Sequence, residues 1–142
     1  MNHIVYLDAK SNELGNLLDG KKSMIIRGAA GRKVPYGKVN VGDILYFINN
    51  NAEGEIKAKG VVSSVFNSDK MTKDESITLV KKHQSQLNLT ARQFQKWAGK
   101  RYIVLIEIKN IENIQHFQFN RDIFKNMMDD WLPVENIETV KK

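Results

Sequence analysis

Short apolar runs, separated by polar and glycine-containing segments, predict that most of this chain forms β-strands. The polar stretch 49–54 is typical of a hairpin connection, and the strand that follows it is expected to bend at Gly60. The strongest run, 101–109, is expected to turn through a hairpin into a partner strand at 111–119. The predicted strands are residues 3–7, 23–27, 44–48, 56–66, 101–109 and 111–119.

Helical spacing replaces this pattern in the middle of the chain, in an insertion at about 72–98. Thr72 and Glu75 have the spacing of a capping box, in which two side chains satisfy backbone N–H groups at a helix start. Thr90 and Gln93 repeat that spacing. Strand runs with one helical insertion favour an α+β, mostly β fold, a small mixed barrel with peripheral helices, over a βαβ sheet.

Length and composition fit one soluble globular domain over residues 1–142. The chain has no cysteine, which excludes disulfides, iron–sulfur clusters and cysteine-ligated zinc. His3, His83 and His116 lie far apart in sequence, so we expect no metal site, and no motif indicates a cofactor. Without a run of roughly 20 apolar residues or a secretion signal, we expect a cytoplasmic protein with no membrane partner.

Basic residues are concentrated in two stretches that contain no acidic residue. One lies between Asp19 and Asp43, the other between Glu75 and Glu107, and each holds six lysines and arginines. The formal net charge is +6. Such an excess attracts polyanions such as RNA or nucleotides, and the alternative is that each stretch is simply a solvated face.

The glycine-containing segment 28–33 is not a Walker A phosphate loop. That loop requires Lys directly after Gly and then Ser or Thr, whereas Arg32 intervenes here and Val34 follows the lysine. The segment also contains the Gly-x-x-Gly of KH domains, but a strand is predicted before it. No Gly-x-Ser-x-Gly nucleophile motif occurs in the chain.

Trp97 is flanked by Lys96, Lys100 and Arg101. This is the aromatic-plus-basic composition with which proteins bind single-stranded nucleic acids, where a base stacks on the ring and cations contact phosphates. Because Trp97 is also at helical spacing from Phe94, a place in the core is the alternative.

Two further charged residues have open roles. Glu107 interrupts an apolar strand, and a buried carboxylate has to be paired or protonated, so we expect an ion pair with a lysine or arginine at the strand edge. Arg27 ends a predicted strand and is either a ligand-binding group or one half of an ion pair, with Glu107 or Asp43 as the candidate partner.

The segment 20–47 resembles the ASCH group of the PUA-like superfamily. In that family a Gly-x-Lys-x-x-Glu-x-Arg signature follows a short strand and helix, and a Gly-Asp turn leads into the next barrel strand. Ile25 departs from the signature, because the family has Glu there, or a hydroxyl residue in members that act as small amidohydrolases on modified nucleosides. The matching residues are Gly20, Lys22 and Arg27 in the signature and Gly42 and Asp43 in the turn.

The resemblance implies a PUA-like pseudobarrel whose basic cleft binds RNA or a nucleotide without catalysis. Lys22 is expected to be free to reach an anion, and Ile25 shares strand parity with Arg27, so both are expected to face the ligand. The loop 28–37 is expected to form one wall of the cleft. The candidate nucleic-acid-binding residues are Lys22, Arg27, Arg32, Lys33, Tyr36, Lys38, Trp97, Lys100 and Arg101.

The alternative function is a small amidohydrolase that acts on a modified nucleoside such as an N4-acylated cytidine. Lys22 would be its nucleophile or base and Glu107 its acid–base partner. Ile25 counts against this alternative, since it supplies neither the carboxylate nor the hydroxyl that the family has at that position.

Overall fold

The computed structural model describes residues 1–124 and 129–142. Within them, six strands form one mixed sheet in the order β2-β5-β4-β3-β1-β6. Strands β1 and β3 run parallel, and the other neighbouring strands run antiparallel. The strands are β1 Asn2–Leu7, β2 Met24–Ala29, β3 Ile44–Asn49, β4 Glu55–Asn67, β5 Tyr102–Gln118 and β6 Trp131–Val134.

Short helices lie at the periphery of the sheet, as predicted. Both capping boxes are confirmed: in each, the threonine Oγ1 accepts the N–H of the third helical residue, whose own side chain accepts the N–H of the threonine. The α-helices of the described residues are α1 Glu13–Leu18, α2 Lys73–Lys82, α3 Gln84–Leu87 and α4 Ala91–Trp97, and 3₁₀ turns cover Arg121–Phe124 and Ile137–Val140.

The predicted hairpin near Asn110 is wrong, because β5 is a single strand of 17 residues that pairs with β4 along its length. A tight hairpin turn of the commonest type needs two successive residues with positive φ, and here Asn110 alone has one, at 53°. Asn110 and Ile111 instead lie opposite the single residue Gly60, which makes a bulge. A Cβ at Gly60 would be 2.5 Å from Ile108, so only glycine fits there.

Alternation along β2 divides its residues between two cores. Met24 and Ile26 pack outward against the helical segment, whereas Ile25 packs inside the curled sheet with residues such as Phe47 and Trp131. Ile25 has no exposed surface, so the expectation that it faces a ligand beside Arg27 is wrong. Its parity is as predicted, but the inner face of the strand is filled by core side chains.

A buried polar chain links β1, β6 and the turn before β3. The Nε2 of His3 lies 2.8 Å from Oδ2 of Asp43, and the indole N–H of Trp131 donates to Nδ1 of His3 over 3.1 Å. Because an indole can only donate, Nδ1 is the unprotonated nitrogen, and the Nε2–H donates to Asp43. Protonating His3 would put a second N–H against that of Trp131.

This chain predicts a pH dependence of stability. Burial lowers the pKa of His3 from its ordinary value of 6.5, although the hydrogen bond to Asp43 opposes the shift. The unfolded chain therefore binds the proton first, so this contribution to stability is complete above pH 6.5 and is lost as the pH falls toward the folded-state pKa. Urea unfolding from about pH 7 down to about pH 5 should show a falling free energy of unfolding, and His3→Gln should make this pH dependence weaker. The exposed His116→Gln is the control, and an unchanged pH profile in His3→Gln would contradict the assignment.

Candidate nucleic-acid interface

The sheet curls far enough for its two ends to meet at a seam. Arg27 lies on the edge strand β2, yet its Nη2 donates to the carbonyl of Tyr6 in β1 over 2.7 Å. The same guanidinium lies 5.6 Å from the ring centre of Trp131, in the opposite edge strand β6. An open cleft of about 390 Å³ lies beside this seam, between the end of β2, the loop after it, α4 and the residues before β6.

Arg27 forms part of the cleft wall and is only 6% exposed. Besides the bond to Tyr6, its Nη1 donates to the carbonyl of Ile26 over 2.8 Å. Its Nε lies 3.3 Å from a carboxylate oxygen of Asp130 but makes no hydrogen bond, so that contact is electrostatic. The ion-pair partner is thus Asp130, and the expected partners Glu107 and Asp43 are wrong. Asp43 instead pairs with His3.

Aromatic rings and exposed lysines share this cleft. Trp97 is half-buried: one part packs against the apolar side chains between β2 and the helical segment, and another part lines the cleft. The Nζ of Lys96 lies 4.8 Å from the centre of its ring, and the exposed Lys100 lines the same surface. On the opposite side, Tyr36 and Tyr102 meet edge to face, with ring centres 5.7 Å apart. The lining of the cleft thus combines aromatic rings with cations.

Two carboxylates also face the cleft. Asp129 lies 3.3 Å from Nζ of Lys33, and Asp130 contacts Arg27 as described. Both acids come from the segment that leads into β6, so they reach a cleft whose cations come from much earlier in the chain. Lys96 and Lys100 form no ion pair with any residue in 1–124 or 129–142.

A solved structure with the same architecture is the ASCH protein from Zymomonas mobilis. It matches with a TM-score of 0.70 over 97% of this chain and 90% of that chain, at 12% identity. This chain has the same fold as that ASCH protein. Two single-site variants of the Zymomonas protein give the same TM-score and identity, over 93% and 91% of their chains. No protein-family model matches the sequence, and no curated protein matches it either.

Lys22, which corresponds to the lysine of the ASCH signature in the sequence resemblance, is a structural residue in this chain. Lys22 is 2% exposed, its Nζ donates to the carbonyl of Leu87 over 2.6 Å, and it lies 3.1 Å from Oε2 of Glu13. Glu13 is itself buried, and its other oxygen accepts the N–H of Asp8. Burial lowers the pKa of Lys22, and the ion pair with Glu13 opposes that shift. The expectation that Lys22 is free to reach an anion is wrong.

The ASCH fold brings five of the nine candidate residues together. Of the others, Lys22 is buried and Arg32 lies beside the cleft, 5.6 Å from the ring centres of both Tyr36 and Tyr102. Lys38 and Arg101 are exposed and lie outside the lining. The candidates that line the cleft are Arg27, Lys33, Tyr36, Trp97 and Lys100.

Four charged or aromatic residues of the lining were not among the candidates predicted from the sequence. Lys96 had a signal, because it precedes Trp97 in a basic stretch. Tyr102, Asp129 and Asp130 had none, since nothing in their local sequence indicates that they meet Arg27 and Lys33.

Glu107 does not belong to this site. It lines a separate groove of about 360 Å³ on the outer face of the sheet, with Leu79 and Lys82. Within the described residues no lysine or arginine forms an ion pair with it, so the expected pair at the strand edge is wrong. The two candidate catalytic residues therefore have different surroundings, since Lys22 pairs with Glu13 instead.

Residues 1–124 and 129–142 hold no cluster of metal-ligating side chains and no membrane-spanning helix. No three histidine, aspartate or glutamate side chains there are grouped as metal ligands would be. None of the helices in those ranges is long and apolar enough to cross a bilayer.

Proposed function

We propose that the protein is a non-catalytic module that binds single-stranded RNA or a nucleotide in the cleft beside the seam. The observation that carries the proposal is that one concave surface presents Trp97, Tyr36 and Tyr102 together with Lys96 and Lys100. Bases stack on aromatic rings, and phosphates bind to lysines. A volume of about 390 Å³ is in the range of ligand sites, which runs from roughly 300 to 1,000 Å³.

The placement of three residues supports a role without catalysis. Lys22, the candidate nucleophile, is enclosed and ion-paired, and Glu107 lines another groove. Ile25 is sealed in the core. No specific contact favours the amidohydrolase alternative, and we expect no release of acetate from N4-acetylcytidine.

Binding is tested by titrating the protein into a fluorescently labelled single-stranded RNA at low salt. Lys96 and Lys100 provide about two phosphate contacts, so log affinity should fall against log salt with a slope of roughly −1.4. The pair Lys96→Ala and Lys100→Ala should flatten this slope, whereas the exposed control pair Lys81→Ala and Lys82→Ala on α2 should leave it unchanged. The absence of RNA binding at low salt, or an RNA affinity that does not change with salt concentration, would rule the proposal out.

Replacing Trp97 with alanine should weaken RNA binding by about 1–3 kcal/mol, the usual contribution of one base stacked on an aromatic ring. Phe66→Ala is the control, because Phe66 is an aromatic residue that lies outside the cleft and lines the other groove. The same titration measures both variants. Equal affinity of Trp97→Ala and the unaltered protein would mean that Trp97 serves only as packing.

A further inference from the structure

Two carboxylates form part of the cleft wall. The backbone carbonyl of Asp130 accepts the N–H of Tyr6 over 3.0 Å, which ties the backbone of Asp130 to β1, and β6 begins at the next residue. The backbone that carries the Asp130 carboxylate is therefore anchored beside Arg27. Asp129 is held next to it, 3.3 Å from Nζ of Lys33. A ligand in the cleft meets these acids as well as the lysines.

The charge of the lining is small for a site that binds phosphates. Among the described residues, the cations Arg27, Lys33, Lys96 and Lys100 are opposed by Asp129 and Asp130, which leaves a formal charge of +2. A phosphate monoester carries about −1.5 to −2 charges at neutral pH. Each phosphodiester of a nucleic-acid strand carries about −1. The lining thus balances one monoester or two diesters, whereas a triphosphate carries more charge than the cleft can balance.

The positions of the acids also make extra phosphates unfavourable. Lys96 and Lys100 are unpaired in the described part of the chain, but any phosphate near Lys33 or Arg27 also approaches a carboxylate. One like-charge contact at about 4 Å in a water-exposed site weakens binding about fivefold. A ligand with a single phosphate can avoid both contacts by placing that phosphate on the unpaired lysines.

We propose that Asp129 and Asp130 determine the ligand class of the cleft: a nucleoside monophosphate or a short stretch of single strand is accepted, and a nucleoside triphosphate is disfavoured. This inference rests on the proposed function. It assigns the acids a specificity role, in which they neutralise Arg27 and Lys33 and leave Lys96 and Lys100 as the phosphate contacts.

The test compares AMP and ATP as competitors of labelled RNA, in EDTA so that no divalent cation shields the triphosphate. The unaltered protein should bind AMP at least as tightly as ATP. In the double variant Asp129→Asn and Asp130→Asn, the preference should reverse, and the ATP-to-AMP affinity ratio should rise on the order of tenfold. The control double variant Asp19→Asn and Asp74→Asn makes the same change in net charge at exposed positions outside the cleft, and should keep the original preference.

Each result separates the inference from the function on which it rests. If RNA binds but the ATP-to-AMP ratio is the same in both proteins, the specificity role is wrong and the binding function stands. If neither RNA nor nucleotide binds, both are wrong. If the double variant unfolds, Asp129→Asn alone replaces it, because the ion pair of Asp129 with the exposed Lys33 contributes little stability. An ATP-to-AMP affinity ratio raised about fivefold in that variant supports the inference. An unchanged ratio in that single variant overturns it.

Discussion

Replacing Lys22 with alanine is expected to lower the free energy of unfolding by about 3–5 kcal/mol, the largest effect of any change considered. The substitution leaves the buried carboxylate of Glu13 without its cation and the carbonyl of Leu87 without its donor. Taking one partner from a buried pair is costly because the remaining charge is neither solvated nor balanced. Urea unfolding at neutral pH measures the loss.

Two further variants separate burial from the loss of a charge as such. Lys21→Ala removes an exposed lysine one position earlier and should change stability by no more than about 0.5 kcal/mol. The pair Lys22→Met and Glu13→Gln removes both charges, and the glutamine oxygen can still accept the N–H of Asp8, so much of the lost stability should return. A Lys22→Ala protein as stable as the unaltered chain would contradict this account of the signature lysine.

Replacing Arg27 with alanine should also destabilise the fold, by about 2–4 kcal/mol. The guanidinium makes charge-assisted hydrogen bonds to the carbonyls of Ile26 and Tyr6, and the second of these joins the two ends of the curled sheet. Arg27→Lys should be intermediate, because an ammonium group lacks the rigid fork that reaches both carbonyls. Thermal and urea unfolding measure the effect.

A ligand-binding role of Arg27 would give a different experimental result. If it were chiefly a ligand-binding group, Arg27→Ala would keep the melting temperature of the unaltered protein and lose RNA affinity. Arg32→Ala is the control for stability, since Arg32 is exposed and lies over Tyr36 and Tyr102 beside the cleft. Its loss should change stability by about 0.5 kcal/mol or less.

Local features of the fold could be predicted from the sequence because their causes are local. A capping box such as that of Thr72 and Glu75 depends on residues three apart. The turn at Asp43 into β3 is similarly specified by neighbouring residues. The prediction of a hairpin at Asn110 was wrong because turns and bulges use the same residue types, and the pairing with β4 decides which of the two forms.

The site was less predictable because its geometry depends on contacts between distant residues. Lys22 is basic and lies between α1 and β2, which alone suggests an exposed anion contact, but Leu87 and Glu13 enclose it. Asp129 and Asp130 meet the cleft only because β6 pairs with β1 and brings its preceding segment to the seam. Such contacts depend on how the sheet curls, and no local pattern in the sequence indicates them.

The most direct test of the binding account is a two-dimensional amide NMR titration with a short single-stranded RNA. We expect the largest shifts at the amides of Gly28, Gly31 and Tyr36 and at the indole N–H of Trp97, whereas the indole of the buried Trp131 should shift less. Shifts confined to the groove of Phe66 and Glu107, or none at all with RNA in excess, would contradict the assignment of the cleft as the nucleic-acid interface.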